Sequence, residues 1–452
     1  MDDVLKLPIV RLTPSRILVL GFVALIMVGT LLLSLPVASV SGRPLRFVDA
    51  LFTATSAVCI TGLVVKDTGT YFSQFGQTVI ILLVQIGGLG FMTMSTLFAI
   101  LLGKKIGLKE RVLIQESFNQ LTLSGLVRLI RNVVLVTLGL EFIGGLLLSL
   151  RFLADFPPAR AVAFGFFHAI ASFCNAGFDL FGQVYGPFNS ITHYVADWLV
   201  VLVTSALIVL GGLGFPVIME LLTYHRNKKF SLHTKVVLKI TTMLIIVGAV
   251  LMLLMEVNNQ NTLGGLGPSG KILGAFFLSI TPRTAGFSTV DAGQLRVGTW
   301  FLFIILMFIG GSPSSISGGI KTTTFGLVLA TVISTIRGKM DVELFERRLP
   351  VDLIFKALTI ITLGMGWVFF VTLVMSLIEP FEFINLFFEA MSAFGTVGMT
   401  TGITRELSDL SLALLMVTMF IGRVGVMTVA FALAQGREQS TCKYLEERII
   451  IG

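Results

Sequence analysis

Along this chain, apolar runs of about twenty residues alternate with shorter mixed stretches in a regular order. Long apolar segments lie near residues 17–37, 129–150, 236–254 and 353–378, each close to the ~20 residues that carry a helix across a bilayer. Each is followed by a short run that contains phenylalanine and ends in small and polar residues, and then by a second apolar helix carrying a glycine step. The pattern predicts helix, short re-entrant element, helix, four times over. The first segment is too long for a signal-peptide core and shows no convincing cleavage site, so it is predicted to remain as a helix of the mature protein.

The four short elements align with one another. They read FTATSAVCITGL, FHAIASFCNAGF, FFLSITPRTAGF and FEAMSAFGTVGM, and their shared glycines are Gly62, Gly177, Gly286 and Gly398, at intervals of 115, 109 and 112 residues. Ten residues before each glycine stands a phenylalanine (Phe52, Phe167, Phe276, Phe388), and an apolar residue follows each one (Leu63, Phe178, Phe287, Met399). A second column lies in the helices that follow, in QIGGLG, VLGGLG, FIGGSP and FIGRVG. These steps begin at Gly87, Gly211, Gly310 and Gly422, which are 25, 34, 24 and 24 residues beyond the first column. Self-similarity at a fixed period marks a repeat architecture. The predicted fold is an all-α integral membrane protein of eight spanning helices, in four tandem helix–pore-loop–helix repeats around a pseudo-fourfold pore. The repeats are 17–110, 111–228, 229–340 and 341–435, between an N-terminus of 1–16 and a tail of 436–452.

Composition agrees that lipid is the solvent. The chain of 452 residues is 55% hydrophobic and 13% charged, with a mean hydropathy of +0.93, far from the balance of a soluble domain. The net charge of +8 reports loop topology and not nucleic acid. Of the 33 Lys and Arg, 22 fall in the N-terminus, the inter-repeat connections and the tail, nine around the re-entrant elements, and two (Lys321, Arg423) within the membrane. The positive-inside rule then puts both termini in the cytoplasm. Three cysteines (Cys59, Cys174, Cys442) and four scattered histidines give no disulfide framework and no metal spacing. No phosphate-binding or dinucleotide fingerprint is present, so no organic cofactor and no ATP hydrolysis are expected of this chain.

A non-helical glycine segment at membrane depth must line a watery path, because lipid cannot satisfy its backbone. Glycine allows φ > 0, so successive carbonyls can turn toward a common axis, and rings of carbonyl dipoles can replace the hydration shell of a cation. The short helices would aim their C-terminal, partially negative ends the same way. The residues read as filter are Cys59, Ile60, Thr61 and Gly62; Cys174, Asn175, Ala176 and Gly177; Thr284, Ala285 and Gly286; and Thr396, Val397 and Gly398.

These four glycines, the repeats and the interrupted third inner helix resemble the Ktr/Trk/HKT superfamily of potassium transporters, over roughly residues 16–435. With eight helices and no extra N-terminal pair, the chain looks like the KtrB type of bacterial membrane subunit. The resemblance implies K+ as the permeating ion, held at carbonyls near Gly62, Gly177, Gly286 and Gly398. It further implies that a glycine at position 62 belongs to the K+-selective type, whereas serine there goes with Na+ passage. It also implies a bacterial plasma-membrane location, a homodimer, and a cytoplasmic ring of nucleotide-binding, KtrA-like regulatory subunits. The apolar ending Ile449–Ile451 suggests burial at a subunit interface.

From Val297 to Ile336 an unbroken helix would run ~60 Å, twice the ~30 Å hydrocarbon core, so part of it must be irregular. The stretch Gly310, Gly311, Ser312, Pro313, Ser314, Ser315, Ile316, Ser317, Gly318, Gly319 is read as a mobile gate loop, as the resemblance implies, with a glycine kink as the alternative. Lys321 is grouped with it, or else snorkels to the cytoplasmic interface. Arg423, in place of a column glycine, must face the protein interior, a partner or water. Either it holds the gate and restrains cations, or it pairs with Glu141 or Glu389. Nine residues before the filter glycines stand Thr53, His168, Phe277 and Glu389, unlike residues that indicate helix packing and not a common ligand. His168 reads as a satisfied buried histidine, and Cys59 and Cys174 as equivalent small residues. Arg283 is expected at the outer rim, bonding filter backbone or an acid. Two rivals are weighed, a cation carrier that stays as the alternative and an enzyme that is not expected. A Na+-permeable or Na+-driven carrier would show inverted two-part symmetry. An intramembrane serine protease using SISGG would need a histidine at comparable depth, but His193, His225 and His233 fall near membrane surfaces and His168 on the side opposite the SISGG loop.

Overall fold

The computed structural model describes residues 14–90, 93–94, 126–339 and 341–433. The expectations for the tail 436–452, for Cys442 and for the first repeat boundary at 110/111 lie outside these residues. Helix dominates throughout. The long apolar segments form α1 (Pro14–Leu33), α4 (Leu126–Phe152), α8 (Leu232–Glu256) and α12 (Val351–Ile378), and these four are long and apolar enough to cross a membrane. Their outward faces carry exposed Leu135, Phe142, Leu254, Phe369 and Leu377, a surface that suits hydrocarbon and not water. A small β-hairpin pairs β1 (Glu343–Leu344) with β2 (Arg347–Arg348) before α12.

The short aligned elements are the helices α2 (Phe47–Val58), α5 (Pro158–Phe173), α9 (Pro268–Ile280) and α13 (Phe383–Gly395). Proline opens α5 and α9, where its missing N–H costs nothing. Each packs against the long helix before it in the chain: α2 on α1, α5 on α4, α9 on α8, α13 on α12. The helices that follow are α3 (Gln74–Leu89), α6 (Trp198–Leu213), α10 (Val297–Phe308) and α14 (Asp409–Val424). Three of their starts are tied to the ends of the long helices by acidic side chains. Glu256 accepts from the Arg296 and Asn259 nitrogens at 3.0 and 2.7 Å, Glu379 accepts from Ser408 N at 2.9 Å, and Asp197 caps α6 while pairing with Arg151.

The contacts between units run in a circle. α3 packs on α5, α6 on α9, α10 on α13, and α14 returns to α2. Every helix of this third set therefore touches the short helix of the next unit, and the last closes onto the first.

The glycine steps sit where two helices nearly meet. A Cβ at Gly87, Gly211 or Gly422 would overlap the carbonyl oxygen of Val58, Phe173 or Phe394, each four residues before the filter glycine of its own unit. Gly422→Ala is therefore expected to destabilise the fold by about 1–3 kcal/mol, the usual cost of overpacking. Gly366→Ala, on α12 with nothing within 4 Å of the added carbon, should be neutral. Heating the detergent-solubilised variants and following the monodisperse fraction checks this; equal melting of the two would contradict it.

The third-set helices also depart from expectation. The sequence suggests one interruption, in the third unit; in the structure α3, α6 and α14 all end three residues after their glycine step, at Gly90, Gly214 and Gly425, with φ of 82, 91 and 95°. Past the second break the chain turns by 108° into α7 (Phe215–Leu222), and past the last it continues as α15 (Val426–Leu433). Among the described residues the long break is that of the third unit, where α10 and α11 (Thr322–Ile336) are separated by residues 309–321.

Candidate functional site: a glycine ring and the loop beside it

Three of the short helices end in one motif. In α2 the Thr61 N–H bonds the Ser56 carbonyl and the Ile60 N–H bonds that of Ala57; the matching pairs are Ala176–Ala171 with Asn175–Ser172, and Val397–Ser392 with Thr396–Ala393, at 2.7–3.1 Å. This nested pair is a Schellman termination, which needs a left-handed residue just past the helix. Ile60, Asn175 and Thr396 supply it with φ of 52, 53 and 50°. In the third unit Pro282 lacks the N–H and the bonding shifts, with Ala285 N reaching Thr281 O at 3.0 Å, yet Thr284 still has φ 73°. Two residues on, Gly62, Gly177, Gly286 and Gly398 have φ of 86, 67, 74 and 88°. Ser56 and Ser392 brace two of the strands by accepting from Gly62 N and Gly398 N at 3.0 and 3.1 Å.

The four strands meet in cyclic order. A Cβ on Gly62 would overlap Ala176 O, one on Gly286 would overlap Val397 O, and one on Gly398 would overlap Thr61 O; at Gly177 it would lie 3.1 Å from Ala285 O. Each glycine thus faces the carbonyl of the residue just before the next unit's glycine. All four glycines line a cavity of about 520 Å³ that also receives Asp179, Asp291 and Arg405. A second cavity, of about 370 Å³, is lined by Ser315, Ser317, Lys321 and Arg423. The two share no lining residue.

The 310–319 loop lines the second cavity and lies against the fourth filter strand, where a Cβ on Gly318 would overlap the Thr396 side chain. Its N–H groups take carbonyls left free where the third-set helices end: Ser312 N bonds Gly212 O at 2.9 Å, Ile316 N bonds Gly211 O at 3.2 Å, and Gly319 N bonds Gly422 O at 3.2 Å. Lys321 donates to Ser317 O at 2.6 Å, so it is held by the loop and does not snorkel outward. Arg423 donates to the carbonyls of Ile316, Gly87 and Gly88. The expected alternative of a salt bridge to Glu141 or Glu389 is corrected: Glu141 instead bonds Gln85 Nε2 at 3.2 Å, and Glu389 bonds Thr404 at 2.7 Å. An arginine can meet its needs with backbone oxygens exposed by broken helices, and sequence does not display those.

Further placements refine the reading. The side chain of Asn175 turns away from the ring: its oxygen accepts from Ser317 at 2.9 Å and Thr284 at 3.2 Å, and its nitrogen donates to Ser172 O and Ile208 O. It joins a filter strand to the loop, a link sequence reasoning missed. Cys174 Sγ points to Gln85 and Glu141 at 3.7 and 3.8 Å, so only its backbone belongs to the ring's support. Arg283 is buried, not at the outer rim, with its Nε unpartnered. It occupies the column of Cys59 and Cys174, three residues before its glycine. His168 is satisfied, as expected, bonding Phe164 O at 2.7 Å and Leu180 N at 3.4 Å.

Comparison with known proteins gives a consistent result. Residues 8–442 match the family described as TrkH, cation transport protein. The chain is 42% identical over 451 residues to the Ktr system potassium uptake protein B of Bacillus subtilis, covering 100% of this chain and 99% of that one. It is 39% identical to the potassium/sodium uptake protein NtpJ of Enterococcus hirae, covering 98% of each. The crystal structure of the potassium transporter TrkH from Vibrio parahaemolyticus superposes with a TM-score of 0.70 at 16% identity, over 92% of this chain and 84% of that one, a likeness of fold.

Proposed function

Because the chain belongs to the TrkH family of cation transport proteins, a family of transporters and not of enzymes, we propose that it is the membrane subunit of a potassium uptake system of the bacterial plasma membrane. K+ crosses through one pseudo-fourfold pore formed by four helix–pore-loop–helix repeats. The observation that carries this reading is the cyclic approach of each filter glycine to the carbonyl before the next. Four backbone strands with alternating left-handed residues turn successive carbonyls toward a common axis, which suits a cation that must shed water. The four short helices, three of them with Schellman ends, aim their C-termini at the same region, and each brings partial negative charge. Loop 310–319, latched by Arg423, separates the two cavities and acts as the gate. Eight spans, with both termini cytoplasmic, follow if each third-set helix is completed by the chain beyond its break; sixteen residues alone reach only ~24 Å.

A gate needs a source of differential binding energy, and no nucleotide-binding motif is found in this chain. The relatives named as Ktr system proteins support a working unit in which a homodimer sits on a separate cytoplasmic, nucleotide-binding ring. Reconstituted with such a ring, K+ flux is expected to change several-fold between ATP and ADP. A chain that is monomeric in mild detergent, with flux indifferent to ring and nucleotide, would overturn the assembly and leave the pore standing. The relative named for both potassium and sodium uptake keeps a Na+-permeable pore as the second reading, so both ions are to be measured.

A further inference from the structure

The column nine residues before each filter glycine holds Thr53, His168, Phe277 and Glu389, which as a sequence column suggests nothing shared. In two units the structure gives it one job. Glu389 Oε1 accepts from Thr401 N at 3.0 Å, and His168 Nε2 accepts from Leu180 N at 3.4 Å. Thr401 and Leu180 both lie three residues beyond their filter glycine. A side chain on the short helix thus reaches past the filter and holds the strand that leaves it.

Both anchors are themselves held. Glu389 is fully buried, and its carboxylate also accepts from Thr400 and Thr404 hydroxyls. The two threonine hydroxyl oxygens lie 2.8 Å apart and Gly402 N donates to that of Thr400 at 2.9 Å, so a closed polar cluster braces residues 400–404. His168 is 1% exposed, stacked on Phe181 with ring centroids 4.3 Å apart and edge-on to Phe152 at 6.1 Å. Its Nδ1 faces the Phe164 carbonyl at 2.7 Å and must carry the proton, which leaves Nε2 as an acceptor toward Leu180. Neither group lines the cavity bounded by the glycines, and no cation pairs with the carboxylate among the described residues. The job is acceptance of an N–H, and charge toward the ion path is not part of it.

We infer that Glu389 and His168 are positioning residues that fix the outer ends of the fourth and second filter strands, and through them the ion preference of the ring. The inference rests on the proposed filter. A short strand between two left-handed residues has few bonds of its own, and a buried acceptor is costly to lose because the N–H it served is left unpaired.

Glu389→Leu, Glu389→Gln, His168→Leu and His168→Gln, with Gly177→Ser as a control, can be compared in proteoliposomes by the K+/Na+ permeability ratio. The leucine variants should lower the ratio severalfold, while glutamine, which keeps an acceptor oxygen, should retain it to within about twofold. If Glu389→Leu does not fold, Thr404→Val, which loosens the same cluster, and His168→Leu read the same quantity. A wild-type ratio in the folded leucine variants, with Gly177→Ser altered, would overturn the anchor role alone. Glutamine variants as impaired as leucine would show that charge or shape matters and would also overturn it. An unchanged ratio in every variant, the glycine included, would remove the filter reading as well.

Discussion

Gly62→Ser is expected to cut the preference for K+ over Na+ by about tenfold or more. Two costs fall on the same residue. Its φ of 86° lies in the left-handed region, where a residue with a Cβ is disfavoured by roughly 1–2 kcal/mol. The new carbon would also overlap the Ala176 carbonyl, one of the oxygens facing the ring. Strand or carbonyl must move, and a loss of ~1.4 kcal/mol in the difference between the two ions is already a factor of ten. The same logic ranks the four positions. Gly286 and Gly398 meet a carbonyl as closely as Gly62 does, whereas at Gly177 the nearest atoms are 3.0 Å or more away. Gly177→Ser should therefore be the mildest of the four. Bi-ionic potentials across proteoliposomes test both magnitude and order, and four unchanged ratios would remove the shared filter.

Removing the latch should have an effect of similar size in the opposite sense, on flux and not on selectivity. Arg423 bonds Ile316 within the loop, and Gly87 and Gly88 at the end of α3. A hydrogen bond from a charged donor contributes about 1.5–3 kcal/mol. Loss of the Ile316 bond alone, if it exists only in the closed state, would multiply the open fraction by roughly ten or more while that fraction is small. Arg423→Ala is expected to raise K+ flux per folded molecule accordingly, and deletion of residues 312–317 to raise it further. The deletion removes the N–H groups of Ser312 and Ile316 that hold Gly212 and Gly211. Flux that falls in Arg423→Ala but rises in the deletion would separate the two and refute a joint gate. Flux that rises in neither would leave the loop as a packing element.

The sequence displayed the parts whose signal is a period. The four glycines and the phenylalanines ten residues before them recur because each unit must turn from a short helix into a strand through left-handed residues. Three of the four second-column glycines recur because the following helix approaches a helix-end carbonyl, whereas Gly310 meets the Gly318 carbonyl within the loop. Other features had no such signature. QIGGLG, VLGGLG and FIGRVG each contain the glycine at which a helix stops (Gly90, Gly214, Gly425), but a glycine in an apolar run does not announce a positive φ. The partners of Arg423 are backbone oxygens released by those same breaks, so a search for acidic side chains led to Glu141 and Glu389. Arg283 looked like a rim residue because charge is costly inside. Only its register with Cys59 and Cys174, three residues before the filter glycine in each case, marks it as interior. His168 and Glu389 share a geometry with different chemistry, which a column of residue types conceals.

The central claim is that one chain forms one K+-preferring path past four glycines. The most direct test is the diffusion potential of liposomes that contain only the chain lacking residues 312–317, with K+ inside and Na+ outside. A shared glycine ring predicts an inside-negative potential set by the K+ gradient, which collapses when Gly62→Ser is added to the deletion. No potential above that of empty liposomes from well-folded protein, or one indifferent to Gly62→Ser, would contradict it.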